Sequence, residues 1–225
     1  MAAVSDPSDA RRPPTAEELS QAFKVDVYDK DGKMSALGDL VQGKRTALVF
    51  IRHYWCKNCQ AYVRRLSEAA PPASLPENTQ GFVGLTCIAV LVIGCGGYQP
   101  IDIWISAASS KFAVYADPSN RLHALFKFKS TLSEGSGQDQ RDYMQGEGGA
   151  VARWLGGIKA ALPNVHHLPH VGPKAQNGGE VILSADGKCE FISRMQHTAD
   201  HINVSELAEL LGKREEAERD GIAVA

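Results

Sequence analysis

Apolar and polar residues along this chain follow two different periods, and the two periods predict two kinds of element. Short runs rich in apolar and β-branched residues predict buried strands, whereas apolar positions three and four residues apart predict helices. The runs that predict strands lie at residues 24–29, 46–52, 87–93, 112–115, 180–184 and 189–193. Helical or amphipathic patterns lie at residues 15–23, 34–41, 59–70, 101–108, 120–128, 150–162 and 204–218.

The order of these elements predicts an α/β fold. Residues 87–93 are apolar almost throughout, which is typical of a strand in a parallel sheet that is covered on both faces. Asp186-Gly187, between the last two strands, predicts a tight turn and therefore an antiparallel hairpin. Alternating strands and helices, followed by a hairpin and a last helix, predict a thioredoxin-like three-layer sandwich with a mixed central sheet.

We expect one domain, at residues 15–218, between two tails. Residues 1–14 are small, polar and contain prolines, so they predict a disordered N-terminal tail, and residues 219–225 predict a short C-terminal tail. An irregular insertion with some helical pattern, at about residues 130–179, precedes the closing β-hairpin. A loop of this length is usually functional or disordered. It therefore predicts either a disordered segment or a lid, in which Trp154 and Ile158 would pack down over the site.

Charge and composition narrow the partners. The chain has 24 Lys and Arg against 26 Asp and Glu, so bulk electrostatics favour neither nucleic acid nor an anionic membrane as a partner. Residues 1–14 lack the apolar core of a secretory signal, and the longest apolar stretch, 83–97, is shorter than the ~20 residues of a membrane helix. Five cysteines at uneven spacings fit a reducing compartment. These features predict a cytoplasmic protein.

The candidate chemistry lies in Trp55-Cys56-Lys57-Asn58-Cys59, where a predicted strand ends and a helix begins. The unpaired N–H groups and the positive end of a helix dipole stabilise a thiolate at such a position. We therefore predict that Cys56 is the nucleophile and that Cys59, one turn later, resolves it in a redox cycle. The alternative is a structural or metal-binding pair. A zinc site normally needs four ligands, and the sequence has no second Cys-x-x-Cys, so we predict no metal.

Four cations are candidates for stabilising the thiolate, three of them local: Arg52, His53 and Lys57. Strand alternation puts the side chains of Arg52 and His53 on opposite faces, so we expect at most one of them to face the thiol readily unless the chain bends. Arg194 follows the closing hairpin and is the predicted second cation. The alternatives are a surface role for Arg52 and a structural, hydrogen-bonded role for His53.

Aromatic residues near the motif predict either a substrate pocket beside Cys56 or ordinary core packing, and the sequence does not separate the two. They are Tyr54, Trp55, Tyr98 and Trp104. A pocket of this composition would favour a bulky substrate over hydrogen peroxide.

Two further groups of residues are assigned structural roles. His197, Asp200 and His201 lie close together in sequence, and we favour helix capping and packing over metal binding for them. Cys95 follows a central strand, and we favour a small core residue over an alternative resolving thiol.

With these residues identified, the chain resembles the peroxiredoxin-like AhpC/TSA family of thioredoxin-fold proteins, in the branch that carries a Cys-x-x-Cys. The Arg-His-x-x-Cys-x-x-Cys block is the most specific part of the resemblance, which spans roughly residues 24–212. The matching segments are residues 50–62, 92–96, 176–180 and 193–201. Two positions depart from ordinary peroxiredoxins: Val49 and His53 stand where those proteins have a Pro and a Thr or Ser. Lys57-Asn58 likewise replaces the Gly-Pro of thioredoxins.

The resemblance implies an enzyme that reduces a peroxide, either an organic hydroperoxide or an endoperoxide, since related members include one that reduces a prostaglandin endoperoxide. It also implies no bound cofactor, an external thiol reductant such as thioredoxin or glutathione, and a homodimer as one expected assembly. Two alternatives stay open. The first is a thiol–disulfide oxidoreductase acting on protein or small-molecule disulfides, and the second is a thioredoxin-fold protein repurposed for non-redox catalysis or for binding.

Overall fold

A computed structural model of the chain describes residues 7–75, 88–135, 141–145 and 162–219. In this part of the chain the strands are β1 Asp26–Tyr28, β2 Met34–Ala36, β3 Arg45–Phe50, β4 Ile88–Gly94, β5 Ala113–Ala116, β6 Gly179–Leu183 and β7 Cys189–Arg194. The α-helices are α1 Ala16–Phe23, α2 Leu37–Val41, α3 Lys57–Ala69, α4 Ile101–Ala108, α5 Arg121–Leu125 and α6 Val204–Arg219. Short 3-10 helices lie at Pro7–Ala10, Pro72–Ser74, Asp142–Met144 and Leu162–His170.

The strands form one mixed sheet in the order β2-β1-β5-β4-β3-β6-β7. The central strands β3, β4 and β5 are parallel, while β6 and β7 form an antiparallel hairpin that pairs with β3. All six residues of β3 are buried, as expected of a strand with a neighbour on each side and helices on both faces.

Helices cover both faces of the sheet, so the predicted three-layer α/β sandwich is confirmed. Along β3, Leu48 and Phe50 face the core under α1, α2 and α5. Ala47 and Val49 face the opposite core, under α3, α4 and α6. The alternation follows from the two-residue period of a strand, and it puts the Cys-x-x-Cys helix, α3, on the second face. No helix among the described residues is long and apolar enough to cross a membrane.

Several boundaries differ from the predictions. The strand expected at 46–52 ends at Phe50, and the amphipathic piece at 34–41 divides into β2 and α2. The N-terminal segment was expected to be disordered as far as Pro14, but from Pro7 it is folded, because the carbonyls of Asp9 and Arg12 accept hydrogen bonds from Arg194.

The described parts of the predicted insertion pack against the domain. Ser130 bridges to Gln176 beside the sheet. Asp142 accepts hydrogen bonds from the N–H groups of Val204 and Ser205, and so caps the start of α6. Several predictions fall on residues that the structure does not describe. They concern Trp154 and Ile158 of the predicted lid, residues 150–161 of the candidate helix at 150–162, Cys87, and residues 220–225 of the C-terminal tail.

Hydrogen bonds and close packing fix the end of β3 at Phe50 and Ile51, and the loop that leads to the Cys-x-x-Cys helix begins there. The Ile51 N–H donates to the Ile93 carbonyl at 2.9 Å, and His123 Nε2–H donates to the Ile51 carbonyl at 3.1 Å. Gly178 passes so close to β3 that a Cβ on it would lie 1.8 Å from the Phe50 carbonyl oxygen. A side chain at residue 178 would therefore push β3 and the 176–180 segment apart.

Gly178→Ala is expected to lower the free energy of unfolding by about 2 kcal/mol or more, because overpacking against backbone atoms cannot be relieved by a rotamer change. Gly212→Ala is the matched control, since no atom lies within 4 Å of a Cβ there. In the interior of α6 the control should stabilise the protein by about 0.5–1 kcal/mol. Urea unfolding monitored by circular dichroism measures both changes, and a neutral Gly178→Ala would contradict the close approach.

The free energy of unfolding is expected to decrease as the pH is lowered, because of the buried His123. Burial lowers the pKa of His123 to about 4, against the opposing effect of its bond to Ile51, while an unfolded His titrates near ~6.5. The unfolded state therefore binds the proton first, and stability is lost as pH falls from about 6.5 towards 4, by about 3 kcal/mol. His123→Gln should remove this pH-dependent component, whereas a substitution of the exposed His166 should leave it unchanged in unfolding titrations across that range.

Candidate active site

Cys56 occupies the first cap position of α3, where the sequence placed the nucleophile. Its Sγ accepts the N–H of Cys59 at 3.3 Å, and its own N–H donates to the His53 carbonyl at 3.0 Å. The side chain is 4% exposed, so the thiol lies just below the surface. A sulfur in this position replaces the oxygen of an ordinary capping residue, and it satisfies one of the free N–H groups of the first helical turn.

Arg52 is the cation that contacts the thiol directly. Its Nη1 lies 3.7 Å from Cys56 Sγ, while its Nε donates to Asn177 Oδ1 at 3.1 Å and its Nη2 to the Lys174 carbonyl at 3.0 Å. The segment before β6 therefore holds the guanidinium in place. Because β3 ends at Phe50, strand alternation no longer governs the orientation of Arg52.

His53 lies close enough for its charge to act on the same thiol, but the direct contact with Cys56 Sγ comes from Arg52. The charges of both residues act on Cys56. Burial lowers the pKa of His53; the Cys56 thiolate opposes this effect, and Arg52 and Lys174 lower the pKa further. His53 Nδ1 is buried and has no hydrogen-bond partner among the described residues.

The two thiols of the motif have opposite acid strengths. Burial by itself raises the pKa of Cys56, but the hydrogen bond with Cys59, the charges of His53 and Arg52, and the Cys59 N–H together hold it well below its usual value. Burial and the hydrogen bond with Cys56 raise the pKa of Cys59 well above its usual value. Cys56 is therefore the more acidic thiol of the pair.

His201 and Glu180 form a buried pair behind Cys59 that the sequence analysis did not assign to the site. His201 Nδ1–H donates to Glu180 Oε1 at 2.6 Å, and His201 Nε2 lies 3.5 Å from Cys59 Sγ. The two side chains are 0% and 1% exposed. His201 packs against Tyr62 and Tyr143, as favoured from the sequence, and it also contacts Cys59, which the sequence did not predict. An acidic residue at the start of an otherwise apolar strand was the signal that could have identified Glu180.

The neighbours of His201 do have structural roles. Asp200 accepts hydrogen bonds from Arg141 and from the Gln196 N–H, and it lies 3.5 Å from His197 Nε2. Within the described residues, no three His, Cys, Asp or Glu side chains are grouped to hold a metal ion.

Arg194 is not placed beside Cys56, which corrects its prediction as the second cation. Its Nε donates to the Phe126 carbonyl at 2.6 Å, and its Nη1 donates to the carbonyls of Asp9 and Arg12 at 2.8 and 2.7 Å. Its hydrogen bonds therefore join α5 and the N-terminal segment to β7, on the face of the sheet opposite to Cys56.

The four aromatic residues of the predicted pocket do not line one cavity. Tyr54 and Trp104 are buried in the core at 6.4 Å in edge-to-face contact, and Trp55 packs against the same core while partly exposed. Tyr98 lines a separate cleft of about 450 Å³, together with Tyr28, Gln99, Arg121 and His170 and without Cys56. Core packing, the second of the two readings of the aromatic residues, holds for Tyr54 and Trp104.

Cys95 supports the loop that carries Arg52. Its thiol donates to the Arg52 carbonyl at 2.9 Å, and burial raises its pKa to about 12. Such a thiol is a poor nucleophile, which agrees with the structural role favoured for Cys95 from the sequence.

The fold and this site define a class: a thioredoxin-like α/β protein with two unequal thiols at the start of a helix. The chain belongs to the AhpC/TSA antioxidant enzyme family, whose model matches residues 74–197, more than half of the chain. The matched stretch begins after Cys59, so the match with the family model does not include the two thiols. The resemblance found in the sequence is thereby confirmed for the family.

Individual relatives are distant. Human peroxiredoxin-like 2C is 24% identical over 202 residues, which cover 89% of this chain and 83% of the human protein. Among solved structures, peroxiredoxin Q of Xanthomonas campestris has a TM-score of 0.52 and 12% identity, covering 88% of this chain and 94% of that one. AhpC of Enterococcus faecalis has a TM-score of 0.52 and 14% identity, covering 89% and 92%. These structures show the thioredoxin-like fold.

Arg52→Gln is expected to raise the pKa of Cys56, because a positive charge that stabilises the thiolate is lost while the helix N–H groups remain. The midpoint of the pH profile of Cys56 alkylation by iodoacetamide should move up by about one pH unit, the usual effect of one neighbouring charge. Arg194→Lys is the matched control and should leave the pH profile of Cys56 alkylation unchanged. Equal effects of the two substitutions would contradict the placement of Arg194 away from the thiol.

Proposed function

We propose that the protein is a thiol-dependent oxidoreductase that reduces a peroxide through Cys56, with Cys59 as the resolving thiol. The observation that carries this proposal is the unequal thiol pair at the start of α3. Cys56 Sγ accepts the Cys59 N–H and lies 3.7 Å from Arg52 Nη1, while Cys59 remains protonated one turn behind it. A stabilised thiolate with a second thiol within reach is the arrangement that a two-step thiol redox cycle needs.

In the first step the Cys56 thiolate attacks one oxygen of a hydroperoxide. A sulfur–oxygen bond forms, the oxygen–oxygen bond breaks, and the leaving alkoxide takes up a proton to become an alcohol, so that sulfur is oxidised to a sulfenic acid while the peroxide is reduced. The Arg52 guanidinium lies where it can stabilise both the thiolate and the charge that develops on the leaving oxygen. With an endoperoxide, the same attack leaves a sulfenate ester on Cys56.

In the second step Cys59 attacks Cys56 Sγ and forms the Cys56–Cys59 disulfide. A sulfenic acid on Cys56 releases water in this step, and a sulfenate ester releases an alcohol. An external thiol, of the thioredoxin or glutathione class, then returns the pair to the reduced form by exchange. This cycle uses no bound cofactor.

Two kinds of observation support a peroxide as the oxidant. The chain belongs to a family described as antioxidant enzymes, and its fold neighbours include a protein named peroxiredoxin Q. Within the site, the Nδ2 of the fully buried Asn177 has no hydrogen-bond partner among the described residues. Buried donors of this kind usually meet a polar partner, and a peroxide oxygen would provide one beside Arg52. We favour an organic hydroperoxide or endoperoxide because Trp55, which directly precedes Cys56 in the chain, is partly exposed.

Thiol–disulfide exchange is the second candidate function, and the residue three positions before Cys56, His53, favours it. His53 stands where ordinary peroxiredoxins have a Ser or Thr, so the hydroxyl that orients the peroxide is missing from that position. In this version Cys56 attacks a disulfide sulfur, forms a mixed disulfide, and Cys59 releases the second thiol.

Mass spectrometry after one equivalent of oxidant tests the peroxide proposal. The reduced protein is mixed with hydrogen peroxide, cumene hydroperoxide or a model endoperoxide, and the free thiols are alkylated and mapped at short times. We expect fast loss of the Cys56 and Cys59 thiols as one disulfide, with the organic oxidants reacting faster. Cys56→Ser should abolish the reaction, and Cys59→Ser should stop it at the sulfenic acid.

Cys95→Ser is the matched control and should oxidise at the unchanged rate, because the Cys95 thiol is held against the Arg52 carbonyl and stays protonated. If both motif thiols remain alkylatable for minutes with every peroxide but react with a small disulfide, thiol–disulfide exchange replaces peroxide reduction. If Cys56→Ser keeps full activity, every thiol mechanism is excluded.

A further inference from the structure

The second step of the proposed cycle needs a group that removes a proton from Cys59. The thiol is 0% exposed, and burial together with the hydrogen bond to Cys56 raises its pKa well above the usual value. Water has little access to this proton, and a protonated thiol is a poor nucleophile. A base within the protein would overcome both obstacles.

His201 is in contact with that thiol and has a free acceptor directed at it. Since Glu180 Oε1 accepts the Nδ1–H of His201 at 2.6 Å, the neutral imidazole carries its lone pair on Nε2. Nε2 lies 3.5 Å from Cys59 Sγ, within reach of a hydrogen bond in which the thiol donates once Cys56 has been oxidised and no longer accepts the Cys59 proton. Thiol, imidazole and carboxylate thus form a row, the arrangement in which a base is itself oriented by a third group.

The ring of His201 is held in this position by its neighbours. Tyr62, from α3, stacks on it at 4.3 Å with an angle of 10° between the planes, and Tyr143 contacts it edge-on at 6.1 Å. The second oxygen of Glu180 accepts the N–H of Ile202 at 3.5 Å. The orientation of the imidazole is therefore fixed before the reaction.

The groups around this row favour transfer of the proton to His201. From α3 the row meets Cys59, Cys56 and Tyr62; from β6 it meets Glu180, and from the Asp142–Met144 turn it meets Tyr143. From the loop after β3, the N–H of Arg52 donates to Cys59 Sγ at 3.4 Å, and the Arg52 charge acts to lower the pKa of Cys59. Burial raises the pKa values of both tyrosines, so they stay neutral. Glu180 is then the group that stabilises an imidazolium. Burying this pair costs desolvation free energy, which argues for a chemical role rather than a purely stabilising one.

We propose that His201 is the catalytic base and acid for Cys59, and that Glu180 is the residue that positions it; this inference rests on the proposed thiol function. Cys59 gives its proton to His201 Nε2, and its sulfur attacks Cys56 Sγ. The sulfur–sulfur bond forms as the sulfur–oxygen bond of the sulfenic acid breaks. The leaving hydroxide takes the proton from His201 and becomes water. During reduction of the disulfide, the external thiol loses its proton as it attacks Cys56, and His201 Nε2 passes a proton to the departing Cys59 thiolate.

A chromogenic disulfide, 5,5′-dithiobis(2-nitrobenzoate), separates the two steps without any peroxide. Attack by Cys56 releases one thionitrobenzoate and leaves a mixed disulfide. Attack by Cys59 on that mixed disulfide releases a second thionitrobenzoate, so the second phase in a stopped-flow trace measures resolution alone. Cys59→Ser identifies this phase and corrects for release caused by the other cysteines.

His201→Gln is expected to slow the second phase about 100-fold or more, the usual contribution of a positioned base, and to leave the first phase unchanged. The remaining rate should rise about tenfold per pH unit, because resolution then depends on spontaneous ionisation of Cys59. In the unsubstituted protein the second phase should be nearly independent of pH between about 7 and 9. Glu180→Gln keeps an acceptor for Nδ1–H but removes the charge, so it should give an intermediate rate.

His197→Gln is the matched control, as it removes a histidine from the same segment that contacts Asp200 rather than a thiol. An unchanged second phase in His201→Gln would overturn the inference while leaving the proposed function intact. Absence of the first phase in the unsubstituted protein would instead refute the thiol function. Near-ultraviolet circular dichroism shows whether His201→Gln folds; if it does not, a tenfold rise per pH unit in the unsubstituted protein would overturn the inference.

Discussion

A negative charge at the start of α3 is the constraint on which the site depends. The Cys59 N–H and the Arg52 guanidinium both point at Cys56 Sγ, and a thiolate satisfies them better than a neutral thiol does. Much of the surrounding structure positions these two donors. The end of β3 at Phe50 sets where the loop with Arg52 begins. Asn177 and the Lys174 carbonyl then hold the Arg52 guanidinium, and the Cys95 thiol supports the Arg52 backbone.

The same charge determines the state of its partner thiol. A thiolate at Cys56 makes ionisation of the buried Cys59 more difficult, and in the proposed cycle the two sulfurs therefore divide the work into attack and resolution. The Glu180–His201 pair lies on the buried side of Cys59, on elements far from the motif in sequence. One face of the site thus provides positive charge for the nucleophile, and the other face provides an acceptor for the proton of the resolving thiol.

Much of the fold was predictable because it follows from local patterns. The apolar runs, the helical period near α3 and the Asp186-Gly187 turn gave the element order, and the order led to a mixed sheet covered on both faces. The thiol pair was predictable for the same reason, since its position between a strand and a helix is local. The element boundaries were less certain, because the end of β3 at Phe50 depends on pairing with Gly179 and on the close approach of Gly178.

By itself the sequence determined the class of fold, from the order of its elements, and the position of the Cys56–Cys59 pair at the start of a helix, from the spacing along one short segment. Only the tertiary structure decided which distant side chains reach the thiols. Arg194 ends the hairpin that begins just after Asn177, a residue that binds Arg52 in the site. The Arg194 guanidinium nevertheless binds carbonyls on the other side of the sheet. His201 and Glu180 meet Cys59 because β6, α3 and the segment before α6 converge in the core. Such contacts are set by packing between elements, which residue spacing does not encode.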